Sequence, residues 1–185
     1  MTTENEFSRT VKLADIGAGE THHHIAPDEK ERIALARRFD LVSLEKLEAA
    51  ITLSAGEKGI RAKGRIAAEL VQACTATGEP LSDTIDEAMD LLFIAEPTHE
   101  EEAEIELLAD ECDVIFHDGK LIDLGEAAAQ TMGLAINPYP RSKSANQKLR
   151  AAGVKSEEQM AKEAEDEKAA SGPFAALAEL KKPLD

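Results

Sequence analysis

The sequence predicts an α+β fold, a mostly antiparallel β-meander flanked by two helices. Three observations lead there. Segments around 47–53, 60–71 and 85–94 alternate apolar and polar side chains, the period of a strand with one buried face. Gly- and Pro-bearing stretches at 55–59 and 77–80 punctuate them as turns do. Two segments of helical spacing, opening at Pro27 and at Asp123, flank the alternating region. The meander fits either an open sheet or a small barrel, and patterning alone does not separate the two. The expected domain covers 1–140. A polar, partly disordered tail over 141–185 ends in a short apolar helix.

In chain order, Phe7, Arg9, Val11 and Leu13 alternate with polar neighbours, so 6–13 reads as a strand. Gly17-Ala18-Gly19 and Thr21-His22-His23-His24 read as loop. Pro27 is expected at the first helical position, where its missing N–H costs nothing. Asp28, Glu29 and Glu31 at the start of that helix and Arg37 and Arg38 at its end suit the helix dipole. Leu47, Ala49, Ile51 and Leu53 then share one strand face. After the 55–59 connection, Ile60, Ala62, Ile66, Ala68 and Leu70 share another, with Arg61, Lys63 and Arg65 together on the opposite side. Ile85, Met89, Leu91 and Phe93 form the third set. Leu92 and Ile94 make its end apolar on both faces.

The run from Glu96 to Asp118 holds ten acids and no Lys or Arg. Such a block repels itself, so a mobile acidic loop is expected near 96–112. Beyond it, Asp118-Gly119 between Val114–Phe116 and Leu121-Ile122 signals a hairpin with a type I′ turn. Asp123 is placed to cap a helix and Glu126 to reach back to the cap. Asn137-Pro138-Tyr139-Pro140 stops that helix. From Arg141 large apolar side chains become scarce. Ser156 and Gln159 can start a solvated helix, and Gly172-Pro173 precedes Phe174, Leu177 and Leu180, a small apolar cassette for docking on its own domain or in a partner groove.

Composition limits the function. The 185 residues carry 37 acidic and 21 basic side chains, a net charge of -16. Residues 1–140 hold 29 acids and 12 bases, whereas 141–185 hold 8 and 9. This balance argues against bulk DNA or RNA binding, which needs cations to displace counterions, and against an anionic membrane surface. No apolar run approaches membrane-spanning length, and the N-terminus lacks the basic-then-apolar pattern of a signal peptide. Two cysteines, Cys74 and Cys112, complete neither a disulfide framework nor a four-sulfur zinc site; they suit free thiols in a reducing cytoplasm.

Known chemical motifs are lacking: no Walker loop, HExxH, Gly-x-Ser-x-Gly or dinucleotide fingerprint is present. Three adjacent histidines do not share a face, and His117-Asp118 is better explained by the turn than by acid–base chemistry. No catalytic, cofactor or metal residue is expected. The contact candidates are Arg61, Lys63 and Arg65, a positive stripe for RNA phosphates or an acidic protein, with Tyr139 and Arg141 adding one ring and one charge. The plainer alternative is a solvated sheet face paired with nearby acids such as Glu48.

Several segments, in order, resemble the YceD family of large ribosomal RNA subunit accumulation proteins, closest to its alphaproteobacterial form. They are Glu6-Phe7-Ser8-Arg9, Ala34-Leu35-Ala36-Arg37-Arg38-Phe39, Val71-Gln72-Ala73-Cys74 leading to Glu79-Pro80, Ile122-Asp123-Leu124-Gly125-Glu126, Asn137-Pro138-Tyr139-Pro140-Arg141 and Phe174-Ala175-Ala176-Leu177-Ala178-Glu179-Leu180-Lys181. The resemblance implies a cytoplasmic, non-catalytic factor in large-subunit RNA accumulation, linked with a small basic ribosomal protein. Many relatives carry a Cys-x-x-Cys; here Thr77 stands at the second position, so zinc binding does not carry over. The expected partner is a large-subunit ribosomal protein or pre-ribosomal RNA, with no DNA and no membrane. Two other function classes stay open: an enzyme acting on RNA or a nucleotide, and an acidic chaperone or adaptor for basic proteins.

Overall fold

A computed structural model of the chain describes residues 5–96, 113–155 and 157–171. The chain divides into two compact units, one of 1–74 with 78–140, the other of Thr75–Thr77 with 141–185. The acidic loop expected near 96–112 lies outside the described residues except for Glu96, as do Ser156 and the cassette Phe174, Leu177 and Leu180.

The first unit is built on a five-stranded sheet in the order β2 (Thr21–Ile25), β3 (Ser43–Gly56), β4 (Gly59–Ala73), β5 (Pro80–Ala95), β6 (Asp113–His117). The strands β2 to β5 form an antiparallel meander, and β6 joins β5 in parallel. The sheet stays open; it does not close into a barrel. A small antiparallel ribbon pairs β1 (Thr10–Lys12) with β7 (Leu121–Asp123). Two helices, α1 (Glu29–Arg38) and α2 (Leu124–Ala135), cover one face, α1 against β3 and α2 against β4 and β5.

The alternating sets define that covered face. Leu47, Ala49, Ile51 and Leu53 of β3 are buried, with Ala62, Ile66, Ala68 and Leu70 of β4 and Ile85, Met89, Leu91 and Phe93 of β5. The register slips between Leu44 and Lys46, a bulge that puts Leu44 and Leu47 on the same side although they are three apart. Aromatics being scarce, α2 fits closely through small residues: Gly125, Ala127, Ala128 and Ala129 are buried beside Leu124 and Met132. Phe7 plugs the core with no exposure.

Five sequence readings change. The strand expected over 6–13 contracts to Thr10–Lys12, because Arg9 gives its amide to the Asp123 side chain and Leu13–Asp15 coil into a 3₁₀ turn. The histidine loop is instead the edge strand β2, held by the free edge of β3; tertiary pairing overrides a segment without strand patterning. Pro27 precedes the cap of α1: Asp28 accepts from the Glu31 amide at 2.9 Å while Glu31 accepts from the Asp28 amide at 2.7 Å, a capping box. Asp118-Gly119 is not a type I′ hairpin, which needs two positive φ values; among non-glycine residues described only Asp40 has one. Asp118 instead accepts from the amides of Lys120 and Leu121, and the chain leaves β6 for a different sheet. Asp123 does cap α2, but Glu126 turns away to Arg38 instead of reaching back.

In the second unit, α3 (Ala145–Ala151) and α4 (Glu157–Ser171) are helical. Gly153, with φ of 84°, closes α3: its amide bonds Arg150 and the Val154 amide bonds Leu149, the paired bonds of a Schellman cap. Cations near this end, Lys148 and Arg150, suit the dipole.

Candidate partner-binding surface

The face of the sheet away from α1 and α2 carries the positive stripe. Strand alternation places Arg61, Lys63 and Arg65 there side by side, because Ala62 and Gly64 between them and Ile66 after them take the core-facing positions. Across the ladder, Lys63 lies opposite Thr52 of β3 and Asp90 of β5. The Arg61 guanidinium donates both Nε and Nη2 to the two Asp90 oxygens at 2.7 Å each. Lys63 stands 3.6 Å from the same carboxylate, and Arg65 pairs with Asp86. The stripe is therefore interleaved with acids on the next strand, not the Glu48 that the sequence suggested. Glu48 pairs with Lys46 at 3.0 Å. The arginine hydrogen bonds hold Asp90 and Asp86 below their usual carboxylate range, and the Asp86 contact raises Arg65.

Two further features complete this face. On β2, His22 places Nδ1 3.0 Å from the Thr52 hydroxyl, and His24 is exposed beside it. Toward β6 the face turns apolar, with Leu92, Ile94 and Val114 half-buried and Phe116 exposed.

Tyr139 does not join the stripe. The turn bearing Tyr139 is tied to the far end of β4, where buried Gln72 donates to the Asn137 carbonyl at 2.9 Å. Seven residues of strand separate Gln72 from Arg65, roughly 23 Å at strand rise. Tyr139 itself is 76% exposed and its amide bonds the Asn137 side chain at 2.9 Å. Arg141 is exposed in the second unit.

A polar cluster that periodicity does not reveal lies where the N-terminal segment meets both helices. Arg9 binds Glu31 with two bonds of 2.7 and 2.8 Å and donates to the Ala26 carbonyl. Arg38 forks onto Glu126 at 2.7 and 2.8 Å and reaches Glu6 at 3.0 Å. Asp123 accepts from Asn5, the Ser8 hydroxyl and the amides of Arg9, Gly125 and Glu126. Burial opposes ionisation of Asp123, yet these donors outweigh it and its pKa falls. The Arg38 bond lowers Glu126, and Arg38 is raised in turn. These groups satisfy one another and fasten elements together. The one sequence clue was Asp123 as a cap; long-range pairs leave no local signature.

For bound small molecules the described residues offer shallow grooves. One of about 400 Å³ is lined by Thr10, Lys12, Asp15, Thr21 and His23; another of about 340 Å³ runs between α1 and the start of β3 past Arg32, Ile33 and Val42. Among the described residues no group of three or more His, Cys, Asp or Glu side chains is arranged to hold a metal. His117 and Asp118 both accept backbone amides of their own turn. Cys74 is buried, and no described helix is long and apolar enough to cross a membrane.

Comparison with known families decides the assignment. A family model described as large ribosomal RNA subunit accumulation protein YceD matches residues 62–181. The chain belongs to the YceD family. The match opens inside β4, just after Arg61, and spans the rest of the sheet, α2, α3 and α4. In this YceD chain, β1 to β3 and α1 precede the matched stretch. Neither a curated protein nor a solved structure matches the chain. The YceD assignment carries a role in large-subunit ribosomal RNA accumulation.

Proposed function

We propose that the chain supports large-subunit ribosomal RNA accumulation as a non-catalytic cytoplasmic factor that holds a basic ribosomal protein on the acidic surface of residues 1–140. One observation carries the choice of partner: the stripe of Arg61, Lys63 and Arg65 is already engaged by Asp86 and Asp90. For RNA to use it, phosphates must displace two carboxylates that remain in place and repel them. The excess of 29 acids over 12 bases in 1–140 is then the larger electrostatic resource. It attracts a cationic partner at long range and speeds encounter.

Exposed acids outside any ion pair are the place to test it. Asp83 and Glu87 are exposed on β5, and neither forms an ion pair among the described residues. Purified chain is titrated with small basic large-subunit ribosomal proteins at moderate salt, beside unrelated basic proteins of equal charge. Asp83→Lys with Glu87→Lys, together with neutralisation of the acids from Glu100 to Asp110, should lower affinity at least tenfold for the ribosomal protein. Unchanged affinity overturns this reading. Equal binding of unrelated basic proteins points to the general chaperone. Turnover of ribosomal RNA or a nucleotide by purified chain points to an enzyme.

A further inference from the structure

A second charged feature lies in the other unit. From Arg141 to Lys155 the sequence reads Arg-Ser-Lys-Ser-Ala-Asn-Gln-Lys-Leu-Arg-Ala-Ala-Gly-Val-Lys, with five cations and no acid in fifteen residues. In a chain of net charge -16 this is the inverse of the background. Arg141, Lys143, Lys148, Arg150 and Lys155 are all exposed, as are Asn146 and Gln147 between them. Among the described residues Arg141, Lys143 and Arg150 form no ion pair, unlike Arg61 and Arg65 on the sheet.

The segment is also shaped. Ser142 and Ser144 place their hydroxyls 3.2 Å apart, and the Ser142 and Ser144 carbonyls accept from Ala145 and Lys148 as α3 begins. The Schellman cap ends it, the Gly153 amide donating to Arg150 at 3.0 Å and the Val154 amide to Leu149 at 2.9 Å. Cations thus stand on a short helix and on both flanks of it, held by backbone bonds and separated by amide side chains. Exposed cations in an acid-free stretch, interspersed with Asn, Gln and Ser donors, are the chemistry of phosphate-backbone contact. No aromatic side chain lies within the segment to stack a base, so the contact reads backbone more than sequence.

We infer that residues 141–155 form an RNA phosphate-contact element, distinct from the acidic surface that holds the ribosomal protein, so that one chain engages both components of the large subunit. The inference rests on the proposed function only in taking large-subunit RNA as the target. Its geometry confines RNA to one segment, since the acid excess of 1–140 repels phosphates elsewhere.

The test is binding of the full chain to a labelled large-subunit ribosomal RNA transcript over a range of salt. Phosphate contacts from Arg141, Lys143 and Arg150 give a slope of log affinity against log salt of about -2 to -3, steeper where Lys148 and Lys155 join them. Replacing Arg141, Lys143, Lys148, Arg150 and Lys155 by Gln, a residue of similar helix propensity, should bring the slope near zero and cut affinity at least thirtyfold, with helical content retained. Lys162→Gln with Lys168→Gln on acid-rich α4 should leave both readings nearly unchanged. If the five-residue variant binds as the parent does, or if the α4 variant loses as much, the inference falls. Anionic vesicles that capture the chain when RNA does not overturn it too. Ribosomal-protein capture without RNA binding sinks this inference alone; RNA binding without that capture sinks only the earlier reading.

Discussion

Arg38 at the last turn of α1 grips Glu126 in the first turn of α2 through two parallel hydrogen bonds of 2.8 and 2.7 Å, across 88 residues of sequence. The two helices cover different strands of the sheet, so this pair fastens them where each meets the N-terminal segment. It also sits where helix dipoles favour it, a cation at one C-terminus and an anion at one N-terminus.

Breaking that grip should be felt. Arg38 and Glu126 side chains are 29% and 17% exposed, drier than a surface pair, and Arg38 also holds Glu6. Glu126→Gln leaves one acceptor and should cost about 1 kcal/mol, while Arg38→Met abandons two carboxylates and should cost about 2–3 kcal/mol. Urea unfolding of both variants and the double variant gives the coupling. A sum of single losses equal to the double loss would mean that the two side chains act independently.

Acid should loosen the same region. Asp123, Glu126 and Glu31 have folded pKa values below their ordinary 3.8, 4.5 and 4.5. A carboxylate with a lowered pKa adds stability that is complete above the unfolded value and is lost as pH falls through the folded one. The stability of the domain should therefore hold from neutral pH to about pH 5 and decline steadily below it. Asp123→Ala removes the cap of α2 and the anchor of Asn5, Ser8 and Arg9, so it should cost about 2–3 kcal/mol at pH 7 and flatten the acid limb. Denaturation midpoints at pH 7, 5, 4 and 3 decide it; an unchanged acid limb would remove Asp123 from the account.

Gly125 is a site where no side chain fits. A Cβ there would lie 2.6 Å from the Phe7 carbonyl oxygen and 2.9 Å from the Arg9 amide, which is already committed to the Asp123 side chain. Gly125→Ala gains helix propensity yet should destabilise by about 2 kcal/mol, since the N-terminal segment must move away from α2. A thermal midpoint equal to or above that of the parent would contradict the close approach.

What the sequence disclosed follows the range of the forces involved. The faces of β3, β4 and β5 were legible because alternation is local and one side is buried, and Ile51, Ile66 and Phe93 stand where their period puts them. Asp123 as a cap was legible because capping acts within three residues. β2 was hidden, since its three histidines have no pattern and only the open edge of β3 makes them a strand. The partner of β6 was hidden as well: Asp118-Gly119 does turn the chain, but whether two strands then pair with each other is settled by which edges are vacant. At the candidate surface, spacing put Arg61, Lys63 and Arg65 on one face correctly. It offered no means to know that Asp86 and Asp90, on the following strand, would be laid diagonally against Arg65 and Arg61 by the β4–β5 register.

That neutralisation makes a last prediction, in the opposite direction from loss of function. Asp86→Asn and Asp90→Asn together remove the acids that occupy the stripe while keeping side chains of the same size. Arg61, Lys63 and Arg65 then present positive charge at strand spacing, about 7 Å apart, near the separation of successive phosphates in a nucleic-acid strand. The double variant should bind ribosomal RNA at least threefold more tightly at low salt, with the salt slope steepened by about 1–2 as new phosphate contacts form. Adding Arg61→Gln, Lys63→Gln and Arg65→Gln to it should restore the parental value. The order matters: the same three Gln changes in the parent should leave RNA binding nearly unaltered, because those cations are engaged already. If they weaken RNA binding in the parent by tenfold or more, the stripe is itself the RNA contact and its aspartates are displaced on binding. Filter binding of the four proteins at about 50 and 200 mM salt, two conditions in which phosphate contacts differ greatly, separates the cases.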